Sequence, residues 1–554
     1  MRKKSTGLIV IISLLILSSL TVFVLKYNAV AKSKDGFKIQ KIENQKTSFS
    51  DVYEEEYQNE VYEKVQKLKQ AYRYDIKNPL LIGNPYQTVT NGLYVFFETK
   101  KEYQVEYVIS ADGYDDFAQI VPADTENNCS TRHEFLMVGL IMGQKNTIKM
   151  NLLDEAGKVV ESVSFEYDCP NAVGKFNVNQ IEVNRGESLT PVSEGLYAIL
   201  GNDIELDIND GQQKEAYLSM YDNSGVLRVE IPLVSYRAHR LLFDENGMYF
   251  SISGGRIVRM DNTGYVNRVY KLGNLLLHHD YLFGNRGDIV VLGTDTSEGT
   301  KEDVVFSIDL ETKKIKTIID LKDIFPEYYK MTSKPETAPY LDWMHINSFS
   351  FIEEESIILS SRETSTIIKL DSIYDEPTID YMIGSENFWK DTAYEQYLLK
   401  PEGDFSLQAG QHTITYAKGP EGEPDKYYIY LYNNNNTVSK TRPSYDWDTD
   451  GSYTDTGVST DSRGAKSSYY KYLIDTKNRS FTLVDSIEVP YSGFVSSVQE
   501  YQGNIIIDSG SERTTWEYDQ DGELIQEVKV FGENWVYRTY KYDFDGYWFH
   551  KNKK

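Results

Sequence analysis

A chain of 554 residues exceeds the roughly 250–300 residues at which a single hydrophobic core stops growing, so more than one domain is expected. The formal charge of −26 excludes a nucleic-acid partner, because binding to a phosphate backbone relies on clustered Lys and Arg. With 44 tyrosines, 37 glycines and only 15 prolines, and with aromatic and β-branched runs cut by Gly, Asn and Asp turns, the composition points to an all-β protein.

At the N-terminus, Arg2, Lys3 and Lys4 precede an uncharged apolar run from Gly7 to Leu25. Its length fits a transmembrane or signal helix, and the positive-inside rule leaves everything after Lys26 outside the cytoplasm. Residues 1–26 are therefore expected to anchor the chain in the cell membrane as a single-pass protein with its bulk on the extracytoplasmic side. Ala29-Val30-Ala31 offers the alternative of signal cleavage and secretion. Residues 27–77 follow as a linker and an amphipathic helix, in which Phe49, Tyr53, Tyr57, Val61, Val65, Leu68 and Tyr72 form one apolar stripe. That stripe is expected to dock on the chain's own domains or on a second subunit of a homodimer.

From 78 to 175 the pattern becomes that of a small β-sandwich, with strands expected at 92–99, 103–109, 134–141, 146–153 and 159–167. His133 at a strand edge reads as structural or surface. Cys129 and Cys169 are the only cysteines; an even pair in an exported chain is a candidate disulfide, and no metal cluster can be built from them.

Beyond residue 175 the sequence repeats. Tyr221-Asp222-Asn223-Ser224-Gly225, Met260-Asp261-Asn262-Thr263-Gly264 and Tyr518-Asp519-Gln520-Asp521-Gly522 are the same strand-turn-strand joint, with looser versions near Asp309, Asp371 and Asp475. Four-stranded units repeated in this way predict a β-propeller over 176–554, and the C-terminal strand near 537–542, completing a blade begun near Tyr197, brings the count to six. The innermost strands of a propeller face one another across its channel. Four of the seven histidines, His239, His279, His345 and His412, stand at or near that position in successive blades, so they are expected to converge at one mouth. His550 has no such position.

The segment from Asp342 to Arg362 concentrates the chemistry. Alternation of His345, Asn347 and Phe349 places two polar side chains on one strand face, and the run Ile357 to Ser361 reads as the hairpin partner that delivers Arg362 beside them. Imidazole, carboxamide and guanidinium together make a donor-rich site suited to an oxyanion such as sulfate or phosphate.

These residues also carry a resemblance. The segments Gly92 to Thr99, His133-Glu134 through Asn146, His278-His279-Asp280, Asp342-Trp343-Met344-His345-Ile346-Asn347-Ser348, Ser360-Ser361-Arg362, Gly410-Gln411-His412 and Ser462-Arg463 resemble the bacterial arylsulfate sulfotransferases (ASST) over about residues 80–545. The resemblance implies an exported six-bladed propeller with an N-terminal β-sandwich. It also implies an aryl sulfotransferase that moves a sulfuryl group from a phenolic sulfate ester to a phenol acceptor, without a nucleotide sulfate donor or any cofactor. It makes His412 the transiently sulfated nucleophile of a ping-pong mechanism. One of His278 and His279, with His279 favoured, would act with His345, Asn347 and Arg362 on the sulfuryl oxygens and the phenol proton, and Arg463 would contact substrate. Two departures stand out: the disulfide that members from two-membrane bacteria carry just before the catalytic histidine is missing, both cysteines here lying in the first domain, and the family's Asp-Asn-Gly after the catalytic strand is replaced by Asn433-Asn434-Asn435-Asn436. Two other functions compete, a non-catalytic propeller binding a glycan or peptide and a sulfate ester hydrolase. The first leaves the aligned histidines unexplained; the second usually needs a metal and an oxidised Cys or Ser, for which the sequence shows no cluster.

Overall fold

The computed structural model describes residues 37–551, apart from 44, 175–180, 201–215, 236, 438 and 533–534. The apolar run at 7–25 lies outside them, and among the described residues no helix is long and apolar enough to cross a membrane. The expected helix over 49–72 forms as a short turn, Phe49–Val52, and a longer helix, Glu55–Ala71, broken at Tyr53 and Glu54. Its stripe of Tyr53, Tyr57, Val61 and Val65 is buried against the chain's own domains. Removing Val61 and Val65 from water contributes about 1.5 kcal/mol each. Polar contacts fix the docking: Tyr53 Oη donates to Pro232 O (2.6 Å), Val266 N donates to Gln58 Oε1 (3.1 Å), and the Lys69 ammonium meets Glu134 at 2.6 Å.

The N-terminal domain is a sandwich built on one 18-residue strand, Leu93–Ser110. Its first half pairs with Leu80–Gly83 and Ser130–Met137; its second half pairs with Phe117–Ile120 and Lys145–Leu153, the last of these also pairing with Val159–Asp168. Two separate strands were expected here, because Thr99 to Glu102 reads as a polar turn. No Gly, Pro or Asn interrupts it, so the chain crosses between sheets at an irregularity between Glu98 and Tyr103 without turning. Ile39–Gln40, ahead of the helix, adds a parallel edge strand. His133 is buried, stacked on Phe97, and desolvation lowers its pKa to about 4, which makes it structural.

The disulfide expectation is corrected. Cys129 and Cys169 are both free and buried. Cys169 N donates to Gln144 O at one end of the strand Lys145–Leu153, whereas Cys129 lies near Gln104, Asp154 and Glu155 at the other end. A strand of this length at roughly 3.3 Å per residue separates them far beyond the about 7 Å that a disulfide tolerates between Cα atoms.

Six sheets of four or five strands make the ring. Their innermost strands are Thr539–Tyr542, Leu242–Phe243, Leu275–Phe283, Ile346–Glu353, His412–Ala417 and Ser497–Tyr501, in order around the ring from the first blade to the sixth. The repeated Asp-x-x-Gly joints are tight turns between successive strands of a blade. Asp261 Oδ1 accepts from Thr263 N (2.9 Å) and Tyr265 N (3.1 Å), and Gly264 has φ +90°, a conformation that favours glycine. A Cβ at Gly264 would also lie 3.1 Å from Thr88 Oγ1 of the sandwich, which bonds to Gly264 O. Ring closure is double. Thr539–Tyr542 becomes the inner strand of the first blade, beside Leu196–Ile199, and Ile181–Arg185 becomes the outer strand of the last, beside Leu524–Val530.

Candidate active site

Three of the aligned histidines meet at one end of the channel. The His279 ring centroid lies 5.1 Å from that of His345 and 6.4 Å from that of His412, with His278 6.0 Å away. One small oxyanion could reach all of them. The local backbone explains the convergence. His279 (φ +65°) sits at a register shift in its strand, His345 (φ +47°) immediately precedes Ile346–Glu353, and Thr413 (φ +52°) follows His412 at a third shift. At the same place on three blades the inner strand therefore kinks through a left-handed residue, turning the imidazoles inward. His239 is fully buried, with its ring edge-on to Tyr537 at 5.5 Å, the ring that also lies 6.0 Å from His279, and with Nδ1 3.1 Å from Ser251 Oγ. The inner strand of its blade is only two residues long, and His239 lies ahead of it.

His412 is 2 % exposed. Its Nδ1 stands 2.6 Å from Asn434 Oδ1, and the Asn434 amide is oriented by donating Nδ2 to Ser492 O (2.7 Å) and Val495 O (3.1 Å). With the carboxamide oxygen facing the ring, Nδ1 carries the hydrogen and Nε2 keeps its lone pair. Burial first, and then the positive charge of Arg362, hold the His412 pKa well below the ordinary imidazole value, so the ring is neutral. The asparagine run Asn433–Asn436 is thus a brace of the strand that begins at His412. Asn433 Oδ1 accepts from Ala409 N (2.9 Å), and Asn436 Nδ2 donates to Gly493 O (2.7 Å).

A charged network faces this ring. Glu302, 3 % exposed, places Oε2 2.9 Å from His345 Nδ1 and 3.1 Å from His279 Nε2, and Oε1 3.3 Å from His278 Nδ1 and 3.2 Å from Lys301 Nζ. Asp342 Oδ2 lies 2.7 Å from His345 Nδ1 and 3.2 Å from Lys301 Nζ. For His345, burial opposes the charge but Asp342 and Glu302 outweigh it, and the pKa rises to about 9. For His279 burial prevails over Glu302, and the value falls to about 3. Glu302 itself stays ionised: burial works against the charge, but His345, His279 and His278 hold its pKa well below the usual carboxylate range. One imidazolium and one neutral imidazole therefore stand side by side.

The other expected site residues occupy different stations. Asn347, 0 % exposed, lies at a register shift, which ends its alternation with His345; Nδ2 donates to Gln411 O (2.7 Å), so it braces the residue before His412. Both ring nitrogens of His279 are engaged, Nε2 by Glu302 and Nδ1 by Tyr537 Oη at 2.9 Å. The Arg362 N–H donates to His345 O (3.2 Å), and among the described residues its guanidinium carries no ion pair. Arg463 stands on the outer rim, 46 % exposed and paired with Asp448 at 3.1 Å. Three participants escaped the sequence reading. Glu302 reads as part of a solvated Lys-Glu-Asp turn, Asn434 as a polar turn, and Tyr537 lies 258 residues from the histidine it touches. Donor atoms of His278, His279 and Glu302, and separately those of Glu302, Asp342 and His345, lie within 4.8 Å of one another, two groups that contain no cysteine. Lys301, 3.2 Å from both carboxylates, already supplies a cation there.

A search of curated protein sequences returned no match. Among solved structures, a putative 6-phosphogluconolactonase from Bacteroides fragilis is similar at 10 % identity and TM-score 0.34, over 79 % of this chain and 98 % of that one. An auxiliary nutrient binding protein from Bacteroides thetaiotaomicron is similar at 10 % identity and TM-score 0.31, over 81 % and 87 %. Likenesses this weak bear on neither fold nor function. The profile of the arylsulfotransferase Ig-like domain matches residues 80–170, and that of arylsulfotransferase (ASST) matches residues 182–541, which include the whole histidine cluster and reach every described strand of its propeller. With more than half its length matched, the chain belongs to the arylsulfotransferase (ASST) family.

Proposed function

We propose that this sulfotransferase moves a sulfuryl group from a phenolic sulfate ester to a phenol by ping-pong exchange, with His412 Nε2 as the nucleophile. The observation that carries the reading is the buried, neutral His412 whose Nδ1–H is committed to Asn434 while Nε2 keeps its lone pair. Nε2 attacks sulfur, the sulfur–phenolate oxygen bond breaks, and the leaving oxygen takes its electron pair and a proton from His345. An incoming phenol returns that proton to His345 and displaces His412. Charge on the peripheral oxygens of a loose transition state calls for fixed positive groups, which Arg362 and protonated His345 supply. His279 and Asn347, whose polar atoms bond to protein groups, hold the frame rather than the substrate. Tyr491 and Phe494 line one cavity, Trp535 packs edge-on to Phe494, and the charge of Arg362 acts on Tyr491, so these aromatics are the candidates to hold a phenyl ring.

Donor alone, such as 4-nitrophenyl sulfate, should release one phenol per site, with steady turnover only after acceptor is added. A sulfohistidine on the His412 peptide, found by mass spectrometry after alkaline quench, supports the scheme. Robust exchange by His412→Ala would refute it. Sustained release without acceptor would instead favour hydrolysis. The apolar run at 7–25 supports membrane anchoring with an extracytoplasmic site, which fractionation and protease protection of intact cells would test.

A further inference from the structure

Glu302 has no part in the reaction as written above, yet it touches more of the site than any other side chain. It enters through an unusual backbone. Thr300 and Leu341 form a parallel bridge, Lys301 N donates to Leu341 O, and Glu302 takes φ +57°, with its N–H bonded to Thr294 Oγ1 (2.9 Å) and its carbonyl to Ile346 N (2.9 Å). A non-glycine residue held in the left-handed region by bonds on both sides is a constraint that the fold sustains at some energetic cost, and here it delivers a carboxylate under three imidazoles.

We propose that Glu302, acting with Asp342 and Lys301, is a positioning residue that assigns the transferable proton of the reaction to His345 Nε2 and withholds it from His279. The proposal rests on the reading of His412 as the nucleophile. The charges make the argument. Glu302 and Asp342 bring two negative charges and Lys301 one positive, leaving one negative charge that a single proton on His345 balances. Remove Glu302 and the remaining pair is already neutral, so Asp342 alone, offset by Lys301, is left to favour a second cation beside Arg362. Geometry selects the nitrogen. His345 Nδ1–H lies between both carboxylates at 2.7 and 2.9 Å, so the proton that can leave is the one on Nε2. His279 meets one carboxylate oxygen and is capped on its other nitrogen by Tyr537, so it carries no proton that it could deliver. The other charged or titratable groups acting on His345 are His279 and His278 from the third blade, His412 from the fifth, and Glu363 beyond the hairpin. The single imidazole charge among them resides on His345.

Balance is kept at each step. In the first half-reaction the Nε2 proton of His345 goes to the departing phenolate and His345 becomes neutral; in the second, the acceptor's hydroxyl proton returns to Nε2 as its oxygen bonds to sulfur and the His412–sulfur electron pair returns to His412.

The test is the burst phase of Glu302→Gln with a series of aryl sulfates whose leaving phenols span low to high pKa. Sulfohistidine should still form on His412 with full stoichiometry. The burst rate should fall most for the most basic leaving groups, by about 10²-fold or more, which is the share expected of a lost general acid. Its alkaline limb should move down from near 9 toward the ordinary imidazole value of about 6.5. A uniform loss across the series with an unmoved limb would show a merely structural role and overturn the proposal. Should Glu302→Gln fail to fold, NMR titration of the His345 ring in the wild-type protein decides instead, and a midpoint below pH about 7 overturns it. Failure of the nucleophile reading is separate, since it would appear as activity in His412→Ala or as no sulfohistidine in wild-type enzyme.

Discussion

His412 and Asn434 act as one unit, because the amide fixes which nitrogen of the ring holds the hydrogen. Asn434→Leu should leave the fold intact but lower the burst rate by about 10² or more, by analogy with loss of a tautomer-setting partner in serine proteases; stopped-flow release of nitrophenol measures it. The pH dependence of the same burst should be bell-shaped. Its acid limb should lie below about 6.5, because burial and Arg362 keep His412 neutral, and its alkaline limb should lie near 9, where His345 loses its proton. Of the two causes that lower the acid limb, the neighbouring arginine was legible in the sequence and complete burial was not. The His345 proton also contributes to stability. Bound more tightly in the folded state than by an unfolded imidazole of pKa about 6.5, it stabilises fully below that pH, and the contribution is lost as pH rises through about 9. The melting temperature of wild type should thus exceed that of His345→Gln most in mild acid, with the gap closing above about pH 9. The histidines were legible because one residue type recurs at one position of a repeat. Glu302 was not, because its position depends on the Thr300–Leu341 bridge and on a backbone angle that no residue type announces.

Among the elements, the helix Glu55–Ala71 shows how far periodicity carries. The stripe gave the buried face from Tyr53 to Val65, while Tyr72, also expected in it, lies past the helix end and is exposed; whether the face met another subunit or the chain itself depended on residues more than 200 positions away, such as Val266 and Val269. Val61→Ala and Val65→Ala should each cost about 1–3 kcal/mol, read as a lower midpoint in denaturant unfolding. The sandwich teaches the opposite lesson. Its alternation was legible, while the partner of each cysteine was not, because an even count says nothing of which ends of a strand they occupy. Reductant should leave the melting temperature unchanged, and thiol reagents should label Cys129 and Cys169 only after unfolding. A protection of either thiol that dithiothreitol relieves would contradict this.

For the whole molecule, the ring is held by charge as well as by apolar packing. Asp280 and Arg538, both 0 % exposed, meet at 3.3 Å in the channel, Arg240 clamps Asp280 through two bonds of 2.8 and 3.0 Å, and Arg538 donates to Asn347 O (2.8 Å). Asp280→Ala leaves one buried and one partly buried guanidinium without their carboxylate and should cost about 3–5 kcal/mol, visible in thermal unfolding. The number of blades was legible from the repeats, and so was the closing strand from the C-terminus; the second closure by Ile181–Arg185 was not, since that strand is largely exposed and carries no strong apolar pattern. The first closure sets a timing. Chains are synthesised from the N-terminus, and Tyr537, which caps His279, arrives 258 residues after it, on the segment that leads into the last strand of the ring. A nascent or prematurely terminated chain therefore presents every histidine of the cluster and still lacks the group that locks one of them. Assembly of the cluster is thereby a report on synthesis, finished only once the segment around Tyr537 has been made and inserted.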